Sequence, residues 1–277
     1  MDNPLIGNRT AEVLSYVRSP LALSKSVEDL CHEYRSAQPY PHLVLDGFFS
    51  GSLLSALIDE VPPRNSDKWV HEKEEKQIKS NLRSAVDLGE RAYEFTSVLH
   101  SAGFLYLLSE MTGIQCLLPD PLLSGAGYHS IPPGGRFAVH ADRNTDFNYG
   151  LERRLVVLIY LNHNWKPEYG GQLEIWNQEG TQCEKVIEPN FNRTVIMEIG
   201  DKNFHAVRTV SRNTQNGRSR QSFAVYFHTV GKNVVAHTSI FAPKLYREKP
   251  SAIKKIARET LPPFLLRLIK KSLHGVR

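Results

Sequence analysis

The sequence is poor in cysteine and contains no long hydrophobic run. Its three cysteines among 277 residues, Cys31, Cys116 and Cys183, form no CxxC pair and no even-numbered set. This usage argues against a disulfide framework and predicts reduced thiols in a cytoplasmic protein. The longest apolar run, from Leu155 to Leu161, is too short to cross a bilayer. The first residues lack the basic and apolar regions of a secretory signal, so none is expected.

Charge is unevenly distributed along the chain. The net charge is +5, but residues 243–277 alone carry ten Lys and Arg against Glu248 and Glu259, a balance of +8 that leaves −3 for the other 242 residues. The main body therefore gives no reason to expect a nucleic-acid partner. The tail has the pattern of a basic amphipathic helix. It is expected to pack on its own domain or on a second subunit, as in a homodimer; docking on an anionic membrane or an acidic partner is the less favoured alternative.

The first half of the sequence predicts a strand and helices. His42–Phe49 predicts a strand that runs into a turn, followed by a helix over Ser50–Glu60 that is capped by Ser50. Residues 62–85 are charged and contain proline, which predicts a mobile loop. Glu90–Met111 predicts one long helix that ends at Gly113.

From Gly125 onward the pattern changes to eight short segments separated by Gly, Pro and Asn. This pattern predicts a mainly β fold with flanking helices (α+β), in which a closed or double-sheet all-β core, a jelly roll, is covered on one outer face by the preceding helices. The expected organisation is a support region over 1–124, a β core over 125–232 and a C-terminal extension over 233–277. The predicted strands are Gly127–Ile131, Arg136–Ala141, Arg154–Asn162, Gln172–Asn177, Lys185–Glu188, Arg193–Ile199, His205–Val210 and Arg220–His228.

Three side chains in this region have the types and order of a metal site. His140 and Asp142 are two residues apart, so on a strand they share a face with Ala138, while Phe137 and Val139 point the opposite way. His205 follows 63 residues later. Two imidazoles and one carboxylate on one face of iron(II) leave three positions open for other ligands. Taken singly, each motif is also compatible with a surface turn or a structural histidine.

A late arginine suggests a dicarboxylic co-substrate. Arg220, Ser222 and Tyr226 share one face of their predicted strand, and Phe223 lies on the other. An arginine that faces a barrel interior needs an anionic partner, and a guanidinium pairs with a carboxylate through two parallel hydrogen bonds. Tyr160 is placed to donate a further hydrogen bond to the same carboxylate, although it is equally typical of a core tyrosine.

Together these segments resemble the iron(II)/2-oxoglutarate-dependent oxygenases of the prolyl 4-hydroxylase type. The resemblance covers roughly Gly125 to His228 and depends on the order of its motifs. The matching segments are YHSIPPGGRFAVHAD at 128–142, RRLVVLIYLNHNW at 153–165, YGGQLEIW at 169–176, EPNFNR at 188–193, His205 and RQSFAVYF at 220–227.

The resemblance implies that residues 125–232 form a catalytic core with the double-stranded β-helix fold, a jelly roll of the cupin type, and it implies roles for particular residues. His140, Asp142 and His205 would hold iron(II), and Arg220 and Tyr160 would bind the 5-carboxylate of 2-oxoglutarate, with Ser222 as a weaker candidate. Arg153, Tyr226 and Tyr128 would approach the substrate. Arg153 is, however, out of strand phase with Tyr160, which weakens its assignment.

The implied activity is hydroxylation of an unactivated C–H bond by dioxygen, with release of succinate and CO₂. The substrate would be a prolyl or other amino-acid-like unit, free or in a peptide. The same chemistry on a small secondary metabolite and a binding protein without turnover remain alternatives. A zinc hydrolase on the same three ligands lacks a nearby glutamate as general base and would leave Tyr160 and Arg220 unused.

Overall fold

The computed structural model describes residues 25–82, 85–120, 122–146, 149–231 and 239–241. Within these ranges it contains four α-helices: α1 Val27–Ser36, α2 Gly51–Asp59, α3 Glu90–Leu99 and α4 Ala102–Thr112. The strands of the same ranges are β1 His42–Asp46, β2 Trp69–Lys73, β3 Gln77–Leu82, β4 Leu118–Pro119, β5 Gly127–Ile131, β6 Arg136–Ala141, β7 Thr145–Asp146, β8 Leu151–Tyr160, β9 Leu173–Trp176, β10 Cys183–Ile187, β11 Arg193–Glu198, β12 His205–Val207, β13 Arg220–Val230 and β14 Ile240–Phe241.

The strands form one strongly curled antiparallel sheet. One half of the sheet has the order β1-β11-β8-β13-β5, and the other has the order β6-β12-β9-β10. Strand β3 joins the two halves, because Ser80 and Asn81 pair with β5 while Gln77 and Ile78 pair with β6. The predicted double-stranded β-helix is confirmed.

Most predicted strands agree closely with the observed ones. Two of them, Gly127–Ile131 and Arg136–Ala141, are confirmed at both ends. The largest difference is at β8, which begins at Leu151 instead of Arg154 because its first residues pair with β7.

The prediction of a loop over 62–85 is wrong. Strands β2 and β3 form a hairpin in this region. Trp69, Ser80 and Leu82 are buried, but the many charged residues around them obscure the two-residue period of a strand. This hairpin brings new side chains to the cavity described below.

The helices also differ in detail from the prediction. Glu90–Met111 is two helices, because Ser101 accepts a hydrogen bond from the backbone N–H of Phe104 and so begins α4. The helix ends at Gly113, as predicted, in the left-handed conformation (φ 74°). Ser50 precedes α2 as predicted, but its hydroxyl contacts Ser52 and makes no capping bond.

The helices cover the outer face of the first half of the sheet. Aromatic pairs join them to β13: Phe95 of α3 contacts Phe223 at a centroid distance of 5.7 Å, and Phe104 of α4 contacts Phe227 at 6.1 Å. All four rings are fully buried. The opposite face of β13 is thereby left to line the interior, as its alternating sequence predicts.

The predicted basic helix of the tail lies outside the described residues. Of the predicted extension 233–277, Ile240–Phe241 forms β14 and pairs with β6. Among the residues with described structure, no helix is long and apolar enough to cross a membrane.

Candidate active site

A cavity of about 340 Å³ opens inside the curled sheet. Its apolar walls come from both halves of the sheet and include Phe137, Val156, Leu158, Met197, Val207 and Ala224. Its charged lining comprises Glu72, Lys79, Asp142, Arg143, Arg153 and Arg220. The cavity therefore combines apolar walls with an excess of cationic side chains.

Three predicted ligands meet at one end of this cavity. His140 is the penultimate residue of β6, two positions before Asp142, and His205 begins β12 directly opposite His140. One ligand atom from each of the three lies within 4.8 Å of the other two. Asp142 Oδ1 is 3.3 Å from Nε2 of His140 and 3.8 Å from Nε2 of His205. This arrangement can hold a metal ion.

Hydrogen bonds set the tautomers of both histidines. Nδ1 of His140 donates to the carbonyl of Ala138 at 2.7 Å, and Nδ1 of His205 donates to that of Asn203 at 3.3 Å. Because Nδ1 carries the proton in each neutral ring, Nε2 keeps a lone pair that points at Asp142. Burial and the neighbouring His140 lower the pKa of His205 to about 4. Burial opposes ionisation of Asp142, but the positive charges that His205 and His140 carry when protonated, together with Arg153, hold the pKa of Asp142 well below the usual range.

One sequence-based orientation in this region is wrong. Phe137 was expected to point away from His140, but the two rings stack with centroids 3.6 Å apart. The cause is a β-bulge: His205 pairs with His140 and Val207 with Phe137, so β6 has one extra residue between the two pairs. The bulge turns Phe137 into the cavity, where it supports the ring of His140.

The predicted dicarboxylate-binding residues cluster around a buried arginine. Arg220 is 2% exposed; it donates from Nε to the carbonyl of Gly171 at 3.3 Å and from Nη1 to the hydroxyl of Ser222 at 3.0 Å. Its guanidinium lies 4.7 Å from the ring centroid of Tyr160. Gly171 is required here, because a Cβ atom would lie 3.1 Å from Arg220 Cγ on a backbone with φ 74°.

Arg153 lines the cavity, although two-residue alternation counted from Tyr160 would place it on the opposite face of β8. Across the β8–β13 pair, Phe227 is opposite Leu155 but His228 is opposite Arg153, so a second bulge adds one residue to β8. This bulge returns Arg153 to the face that carries Val156. Its guanidinium lies 4.0 Å from the ring centroid of Tyr226, and the hydroxyl of Tyr226 donates to Asp142 Oδ2 at 3.4 Å.

Tyr128 does not reach the cavity. Its side chain packs edge-on against Phe223, and its hydroxyl donates to the carbonyl of Leu57 at 2.8 Å. The next residue, His129, lines the cavity instead, and burial together with the charge of Lys79 lowers the pKa of His129 to about 3. Two-residue alternation along β5 could have identified His129. Lys79 belongs to the hairpin that the sequence analysis missed, and it lies 4.0 Å from the ring centroid of Phe137.

Comparison with known proteins identifies the domain. Residues 126–228 match the 2OG-Fe(II) oxygenase superfamily. The chain carries a 2OG-Fe(II) oxygenase domain. This oxygenase is a dioxygenase that uses iron(II), 2-oxoglutarate and dioxygen. No curated protein sequence matches the chain.

Two solved structures show the same fold at low sequence identity. A prolyl-4-hydroxylase from Pseudomonas putida superposes with a TM-score of 0.50 and 18% identity over 72% of this chain and 98% of that one. A prolyl hydroxylase from Trichoplax adhaerens, in complex with a peptide fragment of the hypoxia-inducible factor oxygen degradation domain, gives 0.50 and 17% over 82% and 94%. The oxygenase is thus similar in fold to prolyl hydroxylases, as its sequence predicts.

The site has the polar groups that these cofactors need. Within the part of the chain that the structure describes, His140 Nε2, Tyr160 Oη and Arg220 Nη2 are buried without a hydrogen-bond partner. Such groups are costly unless something binds them. A lone-pair donor suits iron(II), and two proton donors suit the carboxylate of 2-oxoglutarate.

A second cluster of ionisable side chains lies beside Arg153. Ligand atoms of Asp120, Asp146 and His228 lie within 4.8 Å of one another, and all three residues are buried. Both ring nitrogens of His228 have no hydrogen-bond partner among the described residues. Burial lowers the pKa of His228 to about 4, although the charges of Asp120 and Asp146 oppose this shift.

This low pKa predicts an acid-sensitive fold. Between the ordinary histidine pKa of about 6.5 and about 4, the unfolded chain binds a proton at His228 that the native protein does not, so stability falls as pH falls. We expect the metal-free wild type to lose about 1 kcal/mol more per pH unit than His228→Gln in this window. Urea unfolding at pH 7 and pH 5 in the presence of a chelator measures the difference. His32→Gln, on an exposed part of α1, should behave as the wild type; equal pH dependence in all three proteins would contradict the prediction.

Proposed function

We propose that this oxygenase hydroxylates an unactivated C–H bond of a prolyl or other amino-acid-like unit, free or within a peptide. In the overall reaction, substrate, 2-oxoglutarate and dioxygen give the alcohol, succinate and CO₂; the alcohol and succinate each receive one atom of the dioxygen, and CO₂ comes from the 1-carboxylate of 2-oxoglutarate. Iron(II) and 2-oxoglutarate supply this oxidation when bound. The protein supplies the ligands, the orientation of the substrates and a cavity from which water is excluded.

His140, Asp142 and His205 are proposed to hold the iron. The observation that carries this proposal is the convergence of their three ligand atoms within 4.8 Å at the end of the cavity. The Tyr226 hydroxyl donates a hydrogen bond to Asp142 and orients its carboxylate. The carbonyls of Ala138 and Asn203 accept hydrogen bonds from the imidazoles of His140 and His205 and fix the orientation of both rings. Such outer contacts orient metal ligands and adjust their basicity.

Arg220 and Tyr160 are proposed to bind the distal carboxylate of 2-oxoglutarate. Arg220 Nη2 and the Tyr160 hydroxyl are both buried without a hydrogen bond of normal geometry among the described residues, and they lie close enough to interact with each other. Ser222 is the weaker candidate for a contact with the same carboxylate; its hydroxyl accepts a hydrogen bond from Arg220 Nη1 and so positions the guanidinium. Charge-assisted pairing of this kind gives both affinity and orientation.

The substrate is proposed to enter beside Arg153 and Tyr226. Both line the cavity, and Tyr226 contacts Asp142, so a molecule bound there lies next to the proposed iron ligands. The peptide bound to the Trichoplax adhaerens relative supports a peptide or amino-acid-like substrate. A small metabolite is the alternative, and the cavity volume of about 340 Å³ is compatible with it.

Two regional proposals accompany this function. The catalytic core is placed at 125–232, supported by 1–124 and extended by 233–277. A cytoplasmic location is proposed because Cys31, Cys116 and Cys183 are free thiols, which persist in reducing compartments.

An anaerobic titration tests the proposed function. Adding 2-oxoglutarate to the iron(II)-loaded protein should produce a weak visible charge-transfer band, and admitting dioxygen should convert 2-oxoglutarate to succinate. With labelled dioxygen, a hydroxylated product from a panel of proline-containing peptides and free amino acids should gain one labelled oxygen atom. A wild-type protein that stays colourless and forms no succinate would refute the proposal.

A further inference from the structure

Arg153 is a buried cation that forms no ion pair with a carboxylate of the described residues, although its charge acts on Asp142. It is only 4% exposed, yet none of the ion pairs among the described residues includes it. Its Nη2 donates to the carbonyl of Ser124, whereas its Nε has no hydrogen-bond partner in the described part of the chain. A buried guanidinium in this state is unfavourable unless a ligand pairs with it.

When the cofactors bind, the charged groups of the cavity still supply no anion that pairs with Arg153. Lys79, Arg143, Arg153 and Arg220 line the cavity against two carboxylates, those of Glu72 and Asp142. The +2 of iron(II) and the −2 of 2-oxoglutarate cancel, so the lining keeps an excess of two positive charges. Asp142 is assigned to iron, and Arg220 to 2-oxoglutarate.

The remaining carboxylates do not compensate Arg153 directly. Glu72 lies 3.8 Å from Lys79 and therefore offsets that cation. Asp120 and Asp146 act electrostatically on Arg143, and the cluster that they form with His228 also lies near Arg153, but Arg153 is in none of the ion pairs of the described residues. The guanidinium of Arg153 is thus held against Tyr226 with its charge directed at the cavity.

We propose that the substrate carries an anionic group, a carboxylate or a phosphate, which pairs with Arg153. This inference rests on the proposed function and specifies its substrate class. Tyr226 contacts both Arg153 and Asp142, so an anion paired with Arg153 places the rest of the substrate beside the iron ligands. Planar guanidinium recognises both oxyanions through parallel hydrogen bonds. A neutral carbonyl could also accept from Arg153, but it would leave the positive charge uncompensated.

A pair of probes that differ by one charge tests the proposal. N-acetyl-L-proline and N-acetyl-L-prolinamide are titrated into the protein loaded with iron(II) and 2-oxoglutarate under anaerobic conditions, and binding is measured by calorimetry. A third arm uses inorganic phosphate. We expect the carboxylate or phosphate probe to bind at millimolar concentration, about tenfold or more tighter than the amide. The arm that binds better distinguishes a carboxylate substrate from a phosphorylated one.

Variants show whether Arg153 is responsible. Arg153→Gln should abolish the preference for the anionic probes, and Arg153→Lys should retain part of it, because it keeps the charge but loses the planar fork. Arg208→Gln is the matched control, since Arg208 is an exposed arginine paired with Glu174. Calorimetric binding of 2-oxoglutarate to each variant confirms that the loaded site is intact.

Three outcomes would overturn the inference. They are binding of the amide to the wild type that is as tight as that of both anionic probes, a preference that survives Arg153→Gln, and no binding of any anionic probe at millimolar concentration. Failure to bind iron(II) or 2-oxoglutarate is a separate result, which rejects the proposed function before any probe is added.

Discussion

His140→Ala is expected to remove iron binding and turnover together. The variant loses a ligand atom that is fully buried and aimed at Asp142 and His205, and alanine leaves no donor to replace it. Residues that merely orient metal ligands contribute about 10- to 100-fold to affinity or activity, so loss of a ligand should cost more than about a hundredfold. Equilibrium dialysis against iron(II), the anaerobic charge-transfer band and succinate formation measure the three consequences.

The control for this variant is His32→Ala, which removes an exposed histidine of α1. It should bind one iron(II) per chain and turn over as the wild type does. Circular dichroism of both variants separates loss of the metal from loss of the fold. A His140→Ala protein that is folded and binds iron(II) with unchanged affinity would remove His140 from the proposed ligand set.

Arg220→Ala is expected to weaken 2-oxoglutarate binding about a hundredfold or more while iron binding is kept. Breaking a buried charged pair by removing one partner costs about 3–5 kcal/mol, and that loss falls on the co-substrate, whose distal carboxylate no longer has a cationic partner. The proposed metal ligands lie on β6, directly after β6 and on β12, away from Arg220 on β13, so they should be unaffected. The KM for 2-oxoglutarate, with iron(II) affinity measured separately, reports the two effects.

Matched variants sharpen this second prediction. Arg91→Ala removes an exposed arginine that pairs with Glu94 on α3 and should leave the KM unchanged. Ser222→Ala should have a smaller effect than Arg220→Ala, because it removes only the hydroxyl that positions the guanidinium. An Arg220→Ala enzyme with wild-type affinity for 2-oxoglutarate would show that the distal carboxylate binds elsewhere.

Sequence periodicity was sufficient where strands alternate without interruption. Along β13 it correctly separated Phe223, Val225 and Phe227, which pack into the core, from Arg220 and Tyr226, which face the cavity. Each of these residues has an environment that its chemistry demands, an apolar core for the former and polar partners for the latter. The fold class followed from the same pattern repeated in eight segments.

Periodicity failed where the backbone contains an extra residue or where the exposed face dominates the composition. The bulges in β6 and β8 reversed the expected directions of Phe137 and Arg153, and no short-range signal in these segments marks either bulge. The β2–β3 hairpin was missed because its charged residues outnumber its buried residues. In each case the deciding interactions are pairings with strands distant in the sequence, which a local pattern does not contain.

The bulge in β8 makes this part of the protein tolerant of one change in length. Arg154 is the extra residue of the bulge, and Arg153 lies before it on the cavity face that also carries Val156. Loss of the codon for either Arg153 or Arg154 would leave one arginine directly before Leu155, where regular alternation puts it on the face of Val156. Homologues one residue shorter at this point would therefore still present a positive charge to a substrate, on a strand without a bulge.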